Sequence, residues 1–340
     1  MQLDYSACAS HAMEIQQMNR TEISRRKVLK GMGLAALFAA SEAKIPEAYA
    51  QIAVPNSAGT DSPRLKAPAN ACDCHHHIYD AARFSPTWSG GMFQPNGRVE
   101  EYRLLQKRIG TTRNVVVTPA PYIGDNRVTL DAIARFGANA RGVALLRPEV
   151  TDAELNALTD GGIRGLRFSQ VAPAATTTFD MIEPLAQRVA AFGWHVQIYM
   201  AADRIAASEE LWNRFPTPLV FDHLGHLPQP DGVNHPAFAV MRRLIDKDRA
   251  WVKISGAYID TKIGPPTYAD ATKVAQAYVT AAPERVVWGS DWPHPNLGAD
   301  DKPSDAVLFD LLSEWAPKSA DRHRILVENP EVLYGFPKSA

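Results

Sequence analysis

The sequence is poor in cysteine, in net charge and in long apolar runs. It has three cysteines among 340 residues and a formal net charge of −1. Two of the cysteines, Cys72 and Cys74, are only two positions apart, which is poor geometry for a disulfide within a strand, so no disulfide framework is expected. The lack of a basic surplus argues against nucleic acid as a partner. The apolar run at residues 31–40 is shorter than the roughly 20 residues of a membrane-spanning helix.

The first 50 residues have the layout of an export signal. Paired arginines at 25–26 precede the apolar run, and residues 48–50 read Ala-Tyr-Ala, as at an A-x-A cleavage site. Twin arginines are typical of signals read by the Tat export machinery. We therefore expect residues 1–50 to be a Tat-like signal peptide and the mature protein to be periplasmic. The alternative is a basic extension of a cytoplasmic enzyme, and Met18 is an alternative start.

The rest of the chain alternates short apolar runs with helical patterns. Residues 51–70, rich in proline and small polar residues, predict an extended arm over the bottom of the domain. The predicted strands lie at residues 71–79, 114–119, 142–148, 163–169, 195–200, 219–223, 251–255 and 285–291. The predicted helices lie at residues 100–110, 151–158, 181–192, 201–214, 237–247, 270–281 and 305–315.

This alternation predicts an α/β fold, a (β/α)8 TIM barrel over residues 71–340. Continuous runs of β-branched residues are typical of parallel strands that are buried on both faces. A doubly wound open sheet is the second choice. That fold normally has a glycine-rich phosphate turn after its first strand, whereas here the first strand ends in histidines.

The carboxyl ends of barrel strands build the active site, so polar residues there are the candidates. The first strand carries residues 73–77, Asp-Cys-His-His-His. Strict alternation would place Asp73, His75 and His77 on one face and Cys74 and His76 on the other. The candidates taken from all strand ends are His75, His77, Arg167, Tyr199, Asp222, His223, His226, Ser255, Tyr258, Asp291 and His294.

A carboxylate among histidines suits the hydrolysis of an activated carbonyl. The carboxylate can act as a general base on water, and imidazoles can polarise the carbonyl or stabilise developing negative charge. Arg167 is a natural partner for a substrate carboxylate or sulfonate, or else forms an internal ion pair. Tyr199 can add a hydrogen bond or cover a cyclic substrate. Asp291 has the alternative role of capping the turn before Pro293.

The same residues raise the question of a metal. His75, His77 and Asp291 are a reasonable ligand set for one zinc ion, with His223 or His226 as a further ligand. A two-metal centre is not expected, because strands 4 and 5 do not end in ligands. A site without metal also works on a reactive ester, and the sequence slightly favours it.

Several motifs in the same order resemble the amidohydrolase superfamily. They are Asp73-x-His75-x-His77, the stretch 222–226 (Asp-His-Leu-Gly-His) and the stretch 288–296 (Trp-Gly-Ser-Asp-Trp-Pro-His-Pro-Asn). The resemblance runs from about residue 70 to residue 336. The branch that it resembles contains 2-pyrone-4,6-dicarboxylate hydrolase, 4-sulfomuconolactone hydrolase and D-galactarolactone isomerase.

The resemblance implies a (β/α)8 lactonase of aromatic-compound catabolism that opens a carboxylated or sulfonated lactone. By this resemblance, Asp291 is the general base on water. His75, His77 and His223 polarise the carbonyl, and Arg167 binds the substrate. Contacts to the substrate are also expected from Tyr199, Tyr258, His226 and His294. No cofactor is required in the pyrone hydrolase pattern, whereas the sulfomuconolactone hydrolases imply a single Zn²⁺.

The chain also departs from the pyrone hydrolase pattern. Residues 171–175 carry no base, and residues 257–260 lack an arginine, so a dicarboxylate would meet fewer cations. The stretches 256–258 and 268–270 are more like the isomerase. The alternative function is therefore a sugar-acid lactone isomerase, and a third is a binding protein without turnover. The sequence does not specify which lactone is the substrate or the oligomeric state.

Overall fold

Short β-branched runs become the strands of a parallel barrel. The computed structural model describes residues 51–89, 93–171 and 177–339. Within them, eight parallel strands pair in chain order. They are β1 Cys72–His76, β2 Arg113–Val117, β3 Ala140–Ala144, β4 Ile163–Ser169, β5 His195–Tyr199, β6 Leu219–Phe221, β7 Ala250–Ile254 and β8 Val286–Trp288. The predicted (β/α)8 TIM barrel is confirmed. The predicted signal peptide and residues 172–175 lie outside the described residues.

The barrel closes through backbone hydrogen bonds between the chain just after β8 and β1. The amide of Asp291 donates to the carbonyl of His75, and the amide of His77 donates to the carbonyl of Trp292, each at 2.8 Å. Gly289 permits this approach, because a Cβ there would lie 2.5 Å from Cβ of His75. Closure thus brings the histidine strand and the Asp291 loop together.

Helices cover the outside of the sheet. They are α1 Val99–Ile109, α2 Arg127–Phe136, α3 Asp152–Asp160, α4 Ile182–Ala190, α5 Ala202–Ala207, α6 Glu209–Arg214, α7 Pro236–Asp246, α8 Ala269–Ala281, α9 Asp305–Asp310, α10 Leu312–Trp315, α11 Ser319–His323 and α12 Asn329–Tyr334. The predicted capping box of α3 is present, since Thr151 accepts from the amide of Glu154. In the described residues, no helix has the length and apolarity needed to cross a membrane.

Two helix predictions differ from the structure. The sequence did not predict α2, whose N-cap residue Asn126 makes no capping bond. The Asn126 side chain instead donates to the carbonyl of Leu145 and accepts from its amide, each at 3.0 Å. The asparagine that could cap the helix therefore holds the chain after β3. The predicted helix at 201–214 is divided into α5 and α6 at Ser208.

The first strand does not alternate regularly. The register between β1 and β2 shifts between Asp73 and His76. As a result Cys74 packs with the barrel-interior valines, while Asp73 accepts a hydrogen bond from Tyr102 of α1 at 3.0 Å. The prediction that Asp73 shares a face with His75 and His77 is therefore wrong, because a bulge reverses the faces before His75. His76 does face the helices, stacked on Tyr102 with ring centroids 3.6 Å apart.

The arm at residues 51–70 takes a different course from the one expected. Its first turn lies at the rim near Asp291, where the indole of Trp292 donates to the carbonyl of Pro55 at 2.8 Å. Further along, the amide of Leu65 donates to Asp310 at the end of α9, also at 2.8 Å. The arm therefore descends along the outside of the barrel before entering β1.

Candidate active site

One carboxylate oxygen lies among three imidazoles at the carboxyl ends of the strands. Oδ1 of Asp291 is 3.5 Å from Nε2 of His75, 3.5 Å from Nε2 of His77 and 3.8 Å from Nε2 of His223. All four side chains are buried. Among the described residues, neither Oδ1 of Asp291 nor Nε2 of His75 has a hydrogen-bond partner. The gap between these atoms is the centre of the candidate site.

The electrostatics of this cluster keep Asp291 ionised. Burial alone would raise its pKa, but the adjacent His223, His77 and His75 hold the pKa of the Asp291 carboxyl well below its ordinary value. Burial lowers the pKa of the His223 and His75 imidazoles. The site therefore presents an anionic oxygen to largely neutral imidazoles.

The Nδ1 atoms of His75 and His77 have hydrogen-bond partners that indicate where the ring protons lie. Nδ1 of His77 lies 2.8 Å from the carbonyl of Val117, which can only accept, so Nδ1 donates, and in the neutral imidazole Nε2 has a lone pair. Nδ1 of His75 lies 3.2 Å from Nζ of Lys253, which can only donate, so the His75 proton lies on Nε2. His75 thus offers a donor to the gap, and His77 offers an acceptor.

Lys253 was not among the predicted site residues. It is the one charged residue of β7, and its buried Nζ also donates to Oε1 of Gln197 at 2.6 Å and to the carbonyl of Cys74 at 2.9 Å. Burial lowers its pKa to about 8. A lysine in an otherwise apolar strand was the available signal, because a buried ammonium needs several acceptors.

Arg167 forms the internal ion pair that the sequence left open, and it also lies at the pocket. Its Nε donates to Oδ2 of Asp222 at 2.8 Å, which is the internal ion pair. Its guanidinium also stacks over the ring of Tyr199, 5.0 Å from the centroid, and it lines the pocket. Within the described residues, its two terminal nitrogens donate to no protein group, so they remain available to an anion.

Asp222 is the buried carboxylate that neutralises the positive charge of Arg167 and Lys253. Burial opposes its charge, but Arg167, His75 and Lys253 together hold the pKa of its carboxyl well below the ordinary value. Oδ2 also accepts from Nε2 of Gln197 at 2.9 Å. The carboxylate therefore fixes Arg167 from below, with its terminal nitrogens towards the pocket.

The pocket above the gap contains about 420 Å³ of space, open mouth included. It is lined by His77, Tyr79, Pro119, Ala120, Arg167, Tyr199, His223, Asp291, Pro295 and Asn296. Tyr79 and Asn296 were not predicted as site residues, and Asn296 donates to the Tyr199 hydroxyl at 3.3 Å.

Three predicted contact residues lie away from the pocket walls. Tyr258 lies behind Asp291, with its hydroxyl 2.6 Å from Oδ2. His294 is buried between Tyr258 and Asp305. His226 pairs with Asp260 at 2.8 Å. In the described structure none of these three lines the pocket, and their role as substrate contacts stays a prediction.

Two site residues have unusual backbone conformations. His223 has φ of 48° and Asp291 has φ of 62°, both in the left-handed region that side chains other than glycine rarely adopt. Each such residue costs on the order of 1 kcal/mol or more. His223 lies two residues after β6 and Asp291 three residues after β8, in turns that aim both side chains at the same gap.

The donor set also fits a single divalent metal. Ligands about 2.1 Å from a tetrahedral ion are roughly 3.4 Å apart. His75, His77 and Asp291 have donor atoms near that spacing, and His223 is slightly farther from the same oxygen. The unpartnered atoms facing the gap are those that a metal would bind. His75 would first have to lose its Nε2 proton.

Comparisons with known proteins agree with this geometry. The family model described as Amidohydrolase matches residues 72–336. A 2-pyrone-4,6-dicarboxylate hydrolase of Comamonas testosteroni is 35% identical over 290 residues, covering 82% of this chain and 94% of that protein. A 4-sulfomuconolactone hydrolase of Rhizobium radiobacter is 33% identical, covering 79% and 91%.

A D-galactarolactone isomerase of Agrobacterium fabrum is 30% identical, covering 80% of this chain and 94% of that protein. Among solved structures, an apo protein of Agrobacterium tumefaciens superposes with a TM-score of 0.77 at 28% identity, covering 84% of this chain and 99% of that chain. The matches therefore extend over the whole barrel.

Proposed function

The chain belongs to the amidohydrolase family, and we propose that it is a lactonase that opens a lactone bearing a carboxylate or sulfonate, as formed in aromatic-compound catabolism. The observation that carries this proposal is the placement of Oδ1 of Asp291 among three imidazole Nε2 atoms, in the same pocket as Arg167. Two hydrolases of such lactones are among its relatives.

Water activation follows from two acceptors that face the same gap. Oδ1 of Asp291 and Nε2 of His77 lie 3.5 Å apart, and both carry lone pairs. A water molecule that donates one hydrogen to each would relieve their repulsion and direct its own lone pair to the substrate. As the water oxygen attacks the carbonyl carbon, its proton passes to Asp291.

Carbonyl activation follows from the neighbouring donor. The Nε2 proton of His75 faces the gap, so His75 can donate to the carbonyl oxygen and to the oxyanion that forms from it. Nδ1 of His223 lies 2.9 Å from Oγ of Ser255, and its Nε2 faces the same gap. When the oxyanion collapses, the ring C–O bond breaks and the leaving oxygen takes the proton from Asp291. The products are one hydroxyl group and one carboxylic acid, which loses its proton to solvent and becomes a carboxylate.

Substrate selection follows from Arg167. Its terminal nitrogens can bind two oxygens of a carboxylate or sulfonate, and the pair with Asp222 holds the guanidinium in place. The ring of Tyr199 next to it can cover a planar or puckered ring. A neutral lactone would lack the ionic contact.

A single Zn²⁺ would be held by His75, His77 and Asp291, with His223 nearby. When bound, it would act as a Lewis acid and lower the pKa of a coordinated water.

Isomerisation of a sugar-acid lactone is the weaker alternative. The isomerase relative is less similar than the pyrone hydrolase, at 30% against 35% identity. In the proposed hydrolysis, Asp291 and His77 hold one water molecule beside the lactone carbonyl. Isomerisation requires that a substrate hydroxyl, and not this water, attacks the carbonyl.

The test is a panel of carboxylated, sulfonated and neutral lactones of matched ring size in ¹⁸O-labelled water. We expect hydrolysis of an anionic lactone with one label in the product. Asp291→Asn should lower turnover by roughly 100- to 10,000-fold, and the exposed Asp300→Asn control should match wild type. Product without label would establish isomerisation, and an active Asp291→Asn variant would remove the assigned base.

We also propose that residues 1–50 direct export through the Tat machinery and that the mature enzyme works in the periplasm. The support is the twin arginine at 25–26, the apolar run and the Ala-Tyr-Ala site. Fractionation of cells that produce the full chain, with N-terminal sequencing, tests this. Replacement of both arginines by lysine should retain the protein in the cytoplasm, and unchanged export would contradict the proposal.

A further inference from the structure

A series of four hydrogen-bonded polar side chains, three of them buried and Tyr258 partly buried, begins at the catalytic carboxylate and leads away from the pocket. The hydroxyl of Tyr258 lies 2.6 Å from Oδ2 of Asp291. Nδ1 of His294 lies 3.1 Å from that hydroxyl, and Nε2 of His294 lies 3.2 Å from Oδ2 of Asp305. These residues come from the loop after β7, the loop after β8 and the start of α9.

The donor and the acceptor of each hydrogen bond follow from the two carboxylates, Asp291 and Asp305, at the ends of the series. Asp291 is ionised and can only accept, so Tyr258 donates its single proton to Oδ2. The phenol oxygen then has only lone pairs for Nδ1 of His294, which must donate. Asp305 accepts at Nε2 of the same ring, so the two nitrogens of His294 act as donors in this series, one to Tyr258 and one to Asp305.

The loop that carries His294 is itself fixed. Lys302 donates to the carbonyls of Pro293, His294 and Leu297 and to Oε1 of Gln94, at 2.8–2.9 Å. His294 adopts φ of 56°, a conformation that such anchoring sustains. The far end is held as well, since the amide of Asp305 donates to Ser57 of the arm.

The two oxygens of Asp291 thus have different surroundings. Oδ2 is bound by a phenol behind the site, whereas Oδ1 has no partner among the described residues and faces the histidines. We propose that Tyr258, His294 and Asp305 are positioning residues that hold Oδ2 and thereby aim Oδ1 of Asp291 at the attacking water. The inference rests on the proposed function, because it assigns the parts of that same site.

This series of hydrogen bonds restricts the rotation of the Asp291 carboxylate. A carboxylate held at one oxygen cannot rotate about its Cβ–Cγ bond, so Oδ1 keeps its place before substrate binds. Without the phenol, the carboxylate could also adopt intermediate rotations in which neither oxygen faces the histidines, and the reactive geometry would be populated only part of the time. A misplacement of about 1 Å can cost roughly 100-fold in rate.

The kinetic test uses Tyr258→Phe, which removes only the hydroxyl. We expect kcat to fall about 10- to 100-fold with KM within about twofold, because the variant loses orientation of the base and not substrate binding. Tyr278→Phe is the matched control. Tyr278 is a buried tyrosine away from the site, and within the described residues its hydroxyl donates to the sulfur of Met241 at 3.6 Å. Wild-type kcat in Tyr258→Phe would overturn the proposal, as would an effect confined to KM.

A double-mutant cycle distinguishes positioning from general support of the fold. Asp305→Asn should lower kcat by a smaller factor, and the double variant Tyr258→Phe/Asp305→Asn should match Tyr258→Phe alone, because Asp305 acts through Tyr258. If the double variant shows the product of the two single effects on kcat, Asp305 does not act through Tyr258 and the proposal is contradicted. Thermal unfolding of each variant verifies that it is folded at the assay temperature.

Crystal structures of wild type and Tyr258→Phe provide a readout that does not depend on activity. A rotated or split Asp291 carboxylate in the variant supports the proposal, and an unchanged carboxylate overturns it. If wild type hydrolyses no lactone, the proposed function fails, while the carboxylate orientation still decides the positioning role.

Discussion

Lys253 lies directly beneath His75, with its Nζ 3.2 Å from Nδ1 of the imidazole. Because an ammonium group can only donate, this contact determines that the His75 proton lies on Nε2, facing the site. The contact joins residues 178 positions apart in the sequence. We therefore expect Lys253 to control whether Nε2 of His75 presents a proton or a lone pair to the gap.

Replacing Lys253 tests this control. In Lys253→Met, Nδ1 of His75 can donate to Oδ1 of Asp222, 3.5 Å away, and Nε2 then loses its proton. We expect kcat to fall about 10- to 100-fold through loss of an oxyanion donor. We also expect tighter zinc binding, measured by titration against a chelating indicator. Lys247→Met on the surface is the control. Wild-type turnover and zinc affinity in Lys253→Met would refute the role.

Arg167 should determine the preference for anionic lactones. A charge-assisted hydrogen bond contributes about 1.5–3 kcal/mol, so Arg167→Met should raise KM for an anionic lactone by roughly 10- to 100-fold. A neutral lactone of the same ring should be affected much less. Arg214→Met, which removes an exposed arginine, serves as control. Equal losses with both substrates would mean that Arg167 acts only through its pair with Asp222.

Removal of metal should leave hydrolysis intact. We expect purified enzyme dialysed against a strong chelator to keep its kcat, because the His75 proton faces the gap and the base is Asp291. Metal analysis of the same samples, before and after dialysis, accompanies the assay. If activity disappears with the metal and returns with zinc, His75, His77 and Asp291 are metal ligands in the working enzyme.

Acid should destabilise the fold through buried histidines. Burial lowers the pKa of His195 to about 3, against about 6.5 in an unfolded chain. Between these values only the unfolded chain binds the proton, so stability is present above pH 6.5 and is lost as pH falls. From pH 6.5 to 5 the loss from His195 is about 2 kcal/mol.

Denaturant unfolding at several pH values measures this effect. His195→Gln should show a shallower loss of unfolding free energy below pH 6.5, by about 1.4 kcal/mol per pH unit. His323→Gln, which removes an exposed histidine of α11, should keep the wild-type slope. Parallel slopes for wild type and His195→Gln would show that His195 is not neutral in the folded protein.

The sequence by itself determined the fold and the identity of the central residues. Apolar runs that alternate with helical patterns specify a parallel barrel, because both signals depend on neighbouring residues. The strand-end rule then selected His75, His77, His223 and Asp291, and closure of the barrel through Asp291 and His75 brings these residues together. Tyr199 and Arg167 were likewise found at the pocket.

Only the tertiary structure decided how those residues are oriented. The bulge in β1 depends on pairing with β2, so strict alternation placed Asp73 on the wrong face. The tautomer of His75 depends on Lys253 of β7, and the free oxygen of Asp291 depends on Tyr258 behind it. Such hydrogen bonds join distant strands and loops, and the distances that define them exist only once the barrel has closed.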